Sequence, residues 1–241
     1  MNFTYASYLR MLSVLRENQY LISTYTEFQP SNKCVILRHD VDFSLEAALQ
    51  FAKLEHKQDA QSTYFILLAT PFYNPFHKKS KNIIKAIKDM GHAIGLHFDE
   101  TNYFISNKEE LIGYVEREIA ILSDGLNMDI KSVSMHRPSQ WVLEADIKFA
   151  SIINTYSKKF FKDFKYLSDS RMCWREDVYK VIQSGLYDRL HILTHPIWYG
   201  EKERSMKEIL LQLIGEQKGK YYDNLRENIR DLDKVLLKSD L

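Results

Sequence analysis

CVILRHDVDFSLEAALQFAKLE, residues 34–55, passes from one periodicity to another without a spacer. The apolar run Cys34–Leu37 is that of a short buried strand. Arg38, His39, Asp40 and Asp42 follow at once, and Ser44 then stands where a helix N-cap belongs. Behind it Leu45, Ala48, Leu49, Ala52 and Leu54 recur at helical spacing. A strand that ends in titratable side chains and turns straight into a helix is a β–α unit. In parallel α/β proteins functional groups gather at this carboxyl end, where the loops converge.

The same unit recurs along the chain. Tyr8, Leu9, Leu12 and Leu15 predict a helix over 4–17, and STYFILL (62–68) a buried strand dense in β-branched and aromatic residues. KNIIKAIKDM (81–90) is a helix stopped by Gly91, and HAIGLH (92–97) is the next strand. A helix over 108–124 opens with acids in its first turn, and KSVSMH (131–136) leads to a strand that Pro138 ends. INTY (153–156), KYLS (165–168) and RLHILTH (189–195) supply further strands, and about 203–239 is helical and highly charged. Strands alternating with helices predict a parallel sheet covered by helices. Six or seven units either close into a barrel smaller than the eightfold one or stay open as a doubly wound sheet. No linker or repeat divides the chain, so residues 1–241 are read as one domain.

Composition narrows the partners. The 241 residues are 45% hydrophobic and 27% charged, which excludes a disordered chain. Thirty-three Lys+Arg against 32 Asp+Glu leave a net charge of +1, so no global field favours nucleic acid or an anionic membrane. Cys34 and Cys173 have no CxxC spacing and read as reduced thiols, which favours a reducing compartment. Arg10, Arg16 and Glu17 interrupt the first apolar stretch, so it lacks the core of a signal peptide. No apolar run approaches the roughly 20 residues of a membrane span. The expected location is cytoplasmic, with peripheral membrane association left open, and nothing speaks to oligomeric state.

Read together, the strand ends carry Arg38, His39, Asp40 and Asp42, then His97 and Asp99, then His136 and Arg137, and finally His195. The period of two puts Arg38, Asp40 and Asp42 on one face of an extended strand and His39 on the other. His92 lies about 16 Å before His97, and His191 about 13 Å before His195, at roughly 3.3 Å per residue, so neither His92 nor His191 belongs at the mouth. The carboxylate pair and the imidazoles suit zinc, with cobalt, nickel and manganese open. One acid can ligate while the other takes a proton from water, and Arg137 is placed to hold that base ionised. Trp198 and Tyr199, just beyond His195, are read equally as sugar-stacking pocket wall or as packing.

These motifs resemble, in order, those of the polysaccharide deacetylase (NodB-homology) superfamily, over about residues 34–199. RHDVD is similar to that family's first motif, GHAIGLH (91–97) to its second, HRPS (136–139) to the arginine–proline motif, SDSRMCW (168–174) to the Asp/Trp motif, and ILTHP (192–196) to the late Leu-x-His motif. RHDVD with IGLHFD (94–99) resembles a divergent branch. The resemblance implies a distorted (β/α)7 barrel that hydrolyses an N-acetyl group on a sugar with a divalent metal, the sugar free or nucleotide- or lipid-linked, in polysaccharide or glycoconjugate biosynthesis. Carried over, it makes Asp40 the general base, Asp42 and His97 metal ligands, Arg137 the partner of the base, Asp169 the support of that arginine, and His195 the acid for the leaving amine.

This chain departs from the pattern at Thr101, where the family has its second metal histidine. Three outcomes follow: His136 supplies the missing ligand, Asp99 or Thr101 does, or the site binds metal poorly. His136 ranks first, because it is an imidazole at an adjacent strand end. Val41, between the two acids, leaves the base and ligand roles of Asp40 and Asp42 open to exchange. The alternative function is a degenerate barrel that binds carbohydrate or acts as a scaffold.

Overall fold

A computed structural model describes residues 1–29 and 32–241. The chain divides into two compact units, Met1–Glu201 and Lys202–Leu241. In the first, helix α1 (Tyr5–Glu17) precedes β1 (Leu21–Ser23) and β2 (Cys34–Val41). From there helix follows strand without exception: α2 (Leu45–His56), β3 (Thr63–Leu67), α3 (Lys78–Asp89), β4 (Ala93–Phe98), α4 (Lys108–Leu126) and β5 (Ser132–Met135). The series continues with α5 (Gln140–Glu144), β6 (Ile153–Asn154), α6 (Lys158–Lys162), β7 (Lys165–Ser168), α7 (Val178–Gln183) and β8 (Arg189–Thr194).

All pairings are parallel, and the sheet runs β6-β5-β4-β3-β2-β8-β7, with β1 beside the first half of β2. This is the expected seven-stranded distorted barrel, with one departure from regularity: no backbone pairing joins β6 to β7 among the described residues. Side chains close the gap instead. The Arg38 guanidinium on β2 reaches Thr155 and Tyr156 just beyond β6 (3.4 and 3.3 Å). Phe161 stacks on both Tyr156 and Tyr166 of β7, with centroids 4.8 and 4.5 Å apart. The short strand β1 was not foreseen, since three residues carry too little periodicity to read.

Every residue of β2 is buried, as a strand covered on both faces requires. Outside it, α2, α3 and α4 pack Ala48, Ala52, Ile84, Val115 and Leu122 against Ile66, Leu96 and Val133. Ser44 caps α2 through Ala47 N, and Gly91 follows α3 at φ +94°, the left-handed conformation that a helix stop uses. The second unit is α8 (Met206–Asn228) with two short turns after it, and Ser205 and Glu208 form a capping box at its start. Among the described residues no helix is long and apolar enough to cross a membrane.

Candidate active site

The alternation of β2 sends its charged residues to two faces. Arg38 and Asp40 point inward and make a bidentate ion pair, Nε to Oδ1 and Nη2 to Oδ2, each 2.8 Å. Both are buried, Arg38 with 0% of its surface exposed. Burial opposes charge on Asp40, but the Arg38 cation, then His97 and the two hydrogen bonds, hold its carboxyl below the usual value. His39 faces outward, between Thr194 Oγ1 (2.7 Å) and the carboxylate of Glu55 on α2 (2.9 Å).

Asp42, His97 and His136 come together at the ends of β2, β4 and β5. Asp42 Oδ1 lies 3.2 Å from His97 Nε2 and 3.4 Å from His136 Nδ1, and those two nitrogens are 3.1 Å apart. Asp42 Oδ1 is buried and accepts no hydrogen bond of acceptable geometry. Four ligands at 2.0–2.1 Å on a tetrahedral ion are about 3.3 Å from one another. One carboxylate oxygen and two imidazole nitrogens at that spacing, one of them an orphaned buried atom, are a donor set that fits a divalent ion. His97 Nδ1 is 2.7 Å from Ser134 Oγ, its register partner on β5. Donation of Nδ1–H to that hydroxyl leaves the Nε2 lone pair facing Asp42, as a ligating histidine needs.

His195, just past β8, completes the mouth. Its Nδ1 is 2.6 Å from Asp169 Oδ1 and its backbone N–H donates to Asp169 Oδ2 at 2.9 Å, while its Nε2 faces Asp42 Oδ2 at 3.8 Å. Burial disfavours the imidazolium, but the adjoining Asp169 carboxylate, with Asp42 and Asp40 beyond, brings it up to about 9. These groups open into a cavity of about 740 Å3, walled by Phe43, Phe72 and Trp198 on one side and containing Arg137 and Arg171 at its lining. That volume lies in the range of small-molecule sites.

Three expectations need correction. The partner of Asp40 is Arg38, not Arg137, which donates to Asp99 Oδ2 (2.9 Å) and leaves 68% of its side chain exposed. Arg137 follows β5, whose neighbour in the sheet is β4, the strand that carries Asp99 at its end. Asp169 holds His195 rather than Arg137, since β7 pairs with β8 and Ser168 is level with Leu193. Tyr199 does not line the cavity. Its ring packs against Phe3, Tyr8 and Phe51 (5.5, 5.8 and 5.0 Å), whereas Trp198 is part of the wall. Thr101 donates its hydroxyl to Asp99 Oδ1 (2.7 Å). His92 and His191 are buried away from the mouth, against Ser62 and Ala52 O in one case and the Tyr25 hydroxyl in the other. The residue that sequence reasoning missed is Glu55, and the period of two in RHDVD was a sufficient signal for the Arg38–Asp40 pair.

No protein-family model and no curated protein matches the chain. Among solved structures it is similar to a Streptococcus mutans CE4 esterase, at 16% identity and a TM-score of 0.49, over 92% of this chain and 88% of that one. It is similar also to a family 4 carbohydrate esterase from Bacillus anthracis (16% identity, TM-score 0.46, 93% and 90% of the two chains). A CE4 family pseudoenzyme from Bacillus anthracis matches at 17% identity and a TM-score of 0.45 over 80% of this chain and 63% of its own, so the present chain spans less than two thirds of its length.

Proposed function

We propose that this chain is a polysaccharide deacetylase-type hydrolase that removes an N-acetyl or related acyl group from an amino sugar. The observation that carries the reading is the placing of Asp42, His97 and His136, mutually 3.1–3.4 Å apart, between a carboxylate fixed by an arginine and an imidazole fixed by an aspartate. Those three residues would hold a divalent ion, zinc first among the candidates. Such an ion supplies Lewis acidity for the acyl carbonyl.

The protein groups divide the proton work. Asp40, kept ionised and oriented by Arg38, takes the proton of the attacking water. His195, held as imidazolium beside Asp169, gives its Nε2 proton to the departing amine. Ser134 and Asp169 fix the rings of His97 and His195. In this reading Asp42 is the ligand and Asp40 the base, because only Asp40 has its own cation and only Asp42 carries the orphaned oxygen. The whole site lies within Met1–Glu201. His136 as third donor favours this reading over that of a degenerate carbohydrate-binding barrel, whose motive was the threonine at 101.

Metal analysis of the purified protein, paired with acetate release from a panel of N-acetyl and O-acetyl sugars, tests the proposal. One equivalent of a divalent metal with release from an N-acetyl sugar is expected. Metal-free protein that releases no acetate after reconstitution would sink it, and release from O-acetyl sugars alone would make the enzyme an ester hydrolase.

A further inference from the structure

The arginine that the resemblance assigns to the base pairs with Asp99 here and not with Asp40. Arg137 sits at the cavity with most of its side chain in solvent. Arg171 lines the same cavity, is exposed, and has no hydrogen-bond or ion-pair partner among the described residues. Both hold left-handed backbone, at φ 49° and 59°, and Met172 beside Arg171 does so too at 53°. Non-glycine residues rarely adopt that conformation, and it concentrates where a site dictates the path of the chain.

Topology sets these two cations opposite the aromatic wall. Phe43, Phe72 and Trp198 follow β2, β3 and β8, which are neighbours in the sheet. Arg137 and Arg171 follow β5 and β7, which lie on either side of the seam where the barrel does not close. Around the cavity Asp40 is matched by Arg38, Asp99 by Arg137 and Asp169 by His195, Asp42 faces only the imidazoles of His97, His136 and His195, and Arg171 has no ion-pair partner among the described residues. A neutral sugar offers such a cation only uncharged hydroxyl and amide oxygens. A phosphate offers charged ones, and a guanidinium fork matches two of them.

We infer that the cavity takes a phosphorylated amino sugar, the sugar ring against Phe43 and Trp198 and its phosphate or pyrophosphate between Arg171 and Arg137. The inference rests on the deacylase reading and adds the class of substrate to it. The phosphate could belong to a simple sugar phosphate or to a nucleoside diphosphate, and the substrates of the test separate the two.

The test compares acetate release from N-acetylglucosamine, its 1-phosphate and its uridine diphosphate ester by the wild type and by Arg171→Gln, with calorimetric titration of both proteins with pyrophosphate. The phosphorylated sugars should exceed the neutral one in kcat/KM by about tenfold or more, as loss of one charge-assisted contact implies. Arg171→Gln should reduce that ratio by about tenfold, through KM more than kcat. A higher rate on the uridine ester assigns the nucleotide, and equal rates on the two assign the phosphate alone. Equal turnover of neutral and phosphorylated sugars, or a ratio untouched in Arg171→Gln, overturns the inference. If no sugar releases acetate the deacylase reading falls, and the titration then decides: pyrophosphate binding weakened about tenfold in Arg171→Gln upholds the anion site, and absent or equal binding in the two proteins overturns it.

Discussion

At the scale of the residue, the arrangement separates duties that single substitutions can expose. Asp40→Asn removes the base but no donor of the clustered triad, so acetate release should drop by about 10^2–10^4-fold while bound metal, read by elemental analysis, stays. His136→Ala should lose metal, whereas Thr101→Ala, whose hydroxyl is spent on Asp99, should retain it. The two variants discriminate between His136 and Thr101 as the third ligand. Arg38→Met leaves Asp40 buried without a cation, which costs about 3–5 kcal/mol when one partner of a buried pair is removed. Urea unfolding reads that loss, and an unchanged midpoint would remove Arg38 from the account.

At the scale of the element, the outward face of β2 and the inward face of α2 meet at Glu55, which is fully buried. Its carboxylate accepts from Tyr8 (2.5 Å), Ser62 (2.6 Å), Tyr64 (2.7 Å) and His39 (2.9 Å). Burial would raise its pKa, but His39, then His92 and the hydroxyl of Ser62, bring it down from 4.5 to about 2. A depressed carboxyl stabilises the fold above its unfolded value and loses that contribution as pH falls toward the folded one. Thermal or urea unfolding should therefore lose on the order of 3 kcal/mol between about pH 4.5 and pH 2 from this group, and Glu55→Gln should flatten that part of the profile. In β4, a Cβ on Gly95 would lie 2.3 Å from the Phe65 ring on β3 and 2.8 Å from Ser132 Oγ on β5. Gly95→Ala should then destabilise by about 1–3 kcal/mol. Sequence made the elements legible because periodicity follows burial: KYLS forms over 165–168 as expected, and RLHILTH loses only its last residue. Glu55 escaped because the apolar face was read from Ala48 and Ala52, and a carboxylate one turn further on is conventionally assigned to solvent. Only its four partners, distant in sequence, reveal that it turns inward. The Arg137 and Asp169 roles failed for a related reason: motif order along a chain does not say which strand ends are neighbours.

At the scale of the whole molecule, an ion held by three elements would tie β2, β4 and β5 together and should raise the unfolding temperature by mass action. Chelation followed by calorimetry should lower Tm by several degrees, and return of the metal should restore it; a Tm indifferent to both would mean that the triad is not a binding site. The parallel sheet covered by helices was foreseeable from the alternation of strands and helices and the seven-stranded barrel from the resemblance, while the seam between β6 and β7 was not, since backbone pairing is a relation between distant segments. Asp40, the proposed base, and its counter-ion Arg38 sit two residues apart on one buried strand that is paired on both edges. They therefore travel as a rigid body. Were the cation supplied from a mouth loop, each opening of that loop to admit substrate or release product would strip Asp40 of its charge partner and let it protonate. Here the charge partner of Asp40 stays beside it through substrate entry and product release.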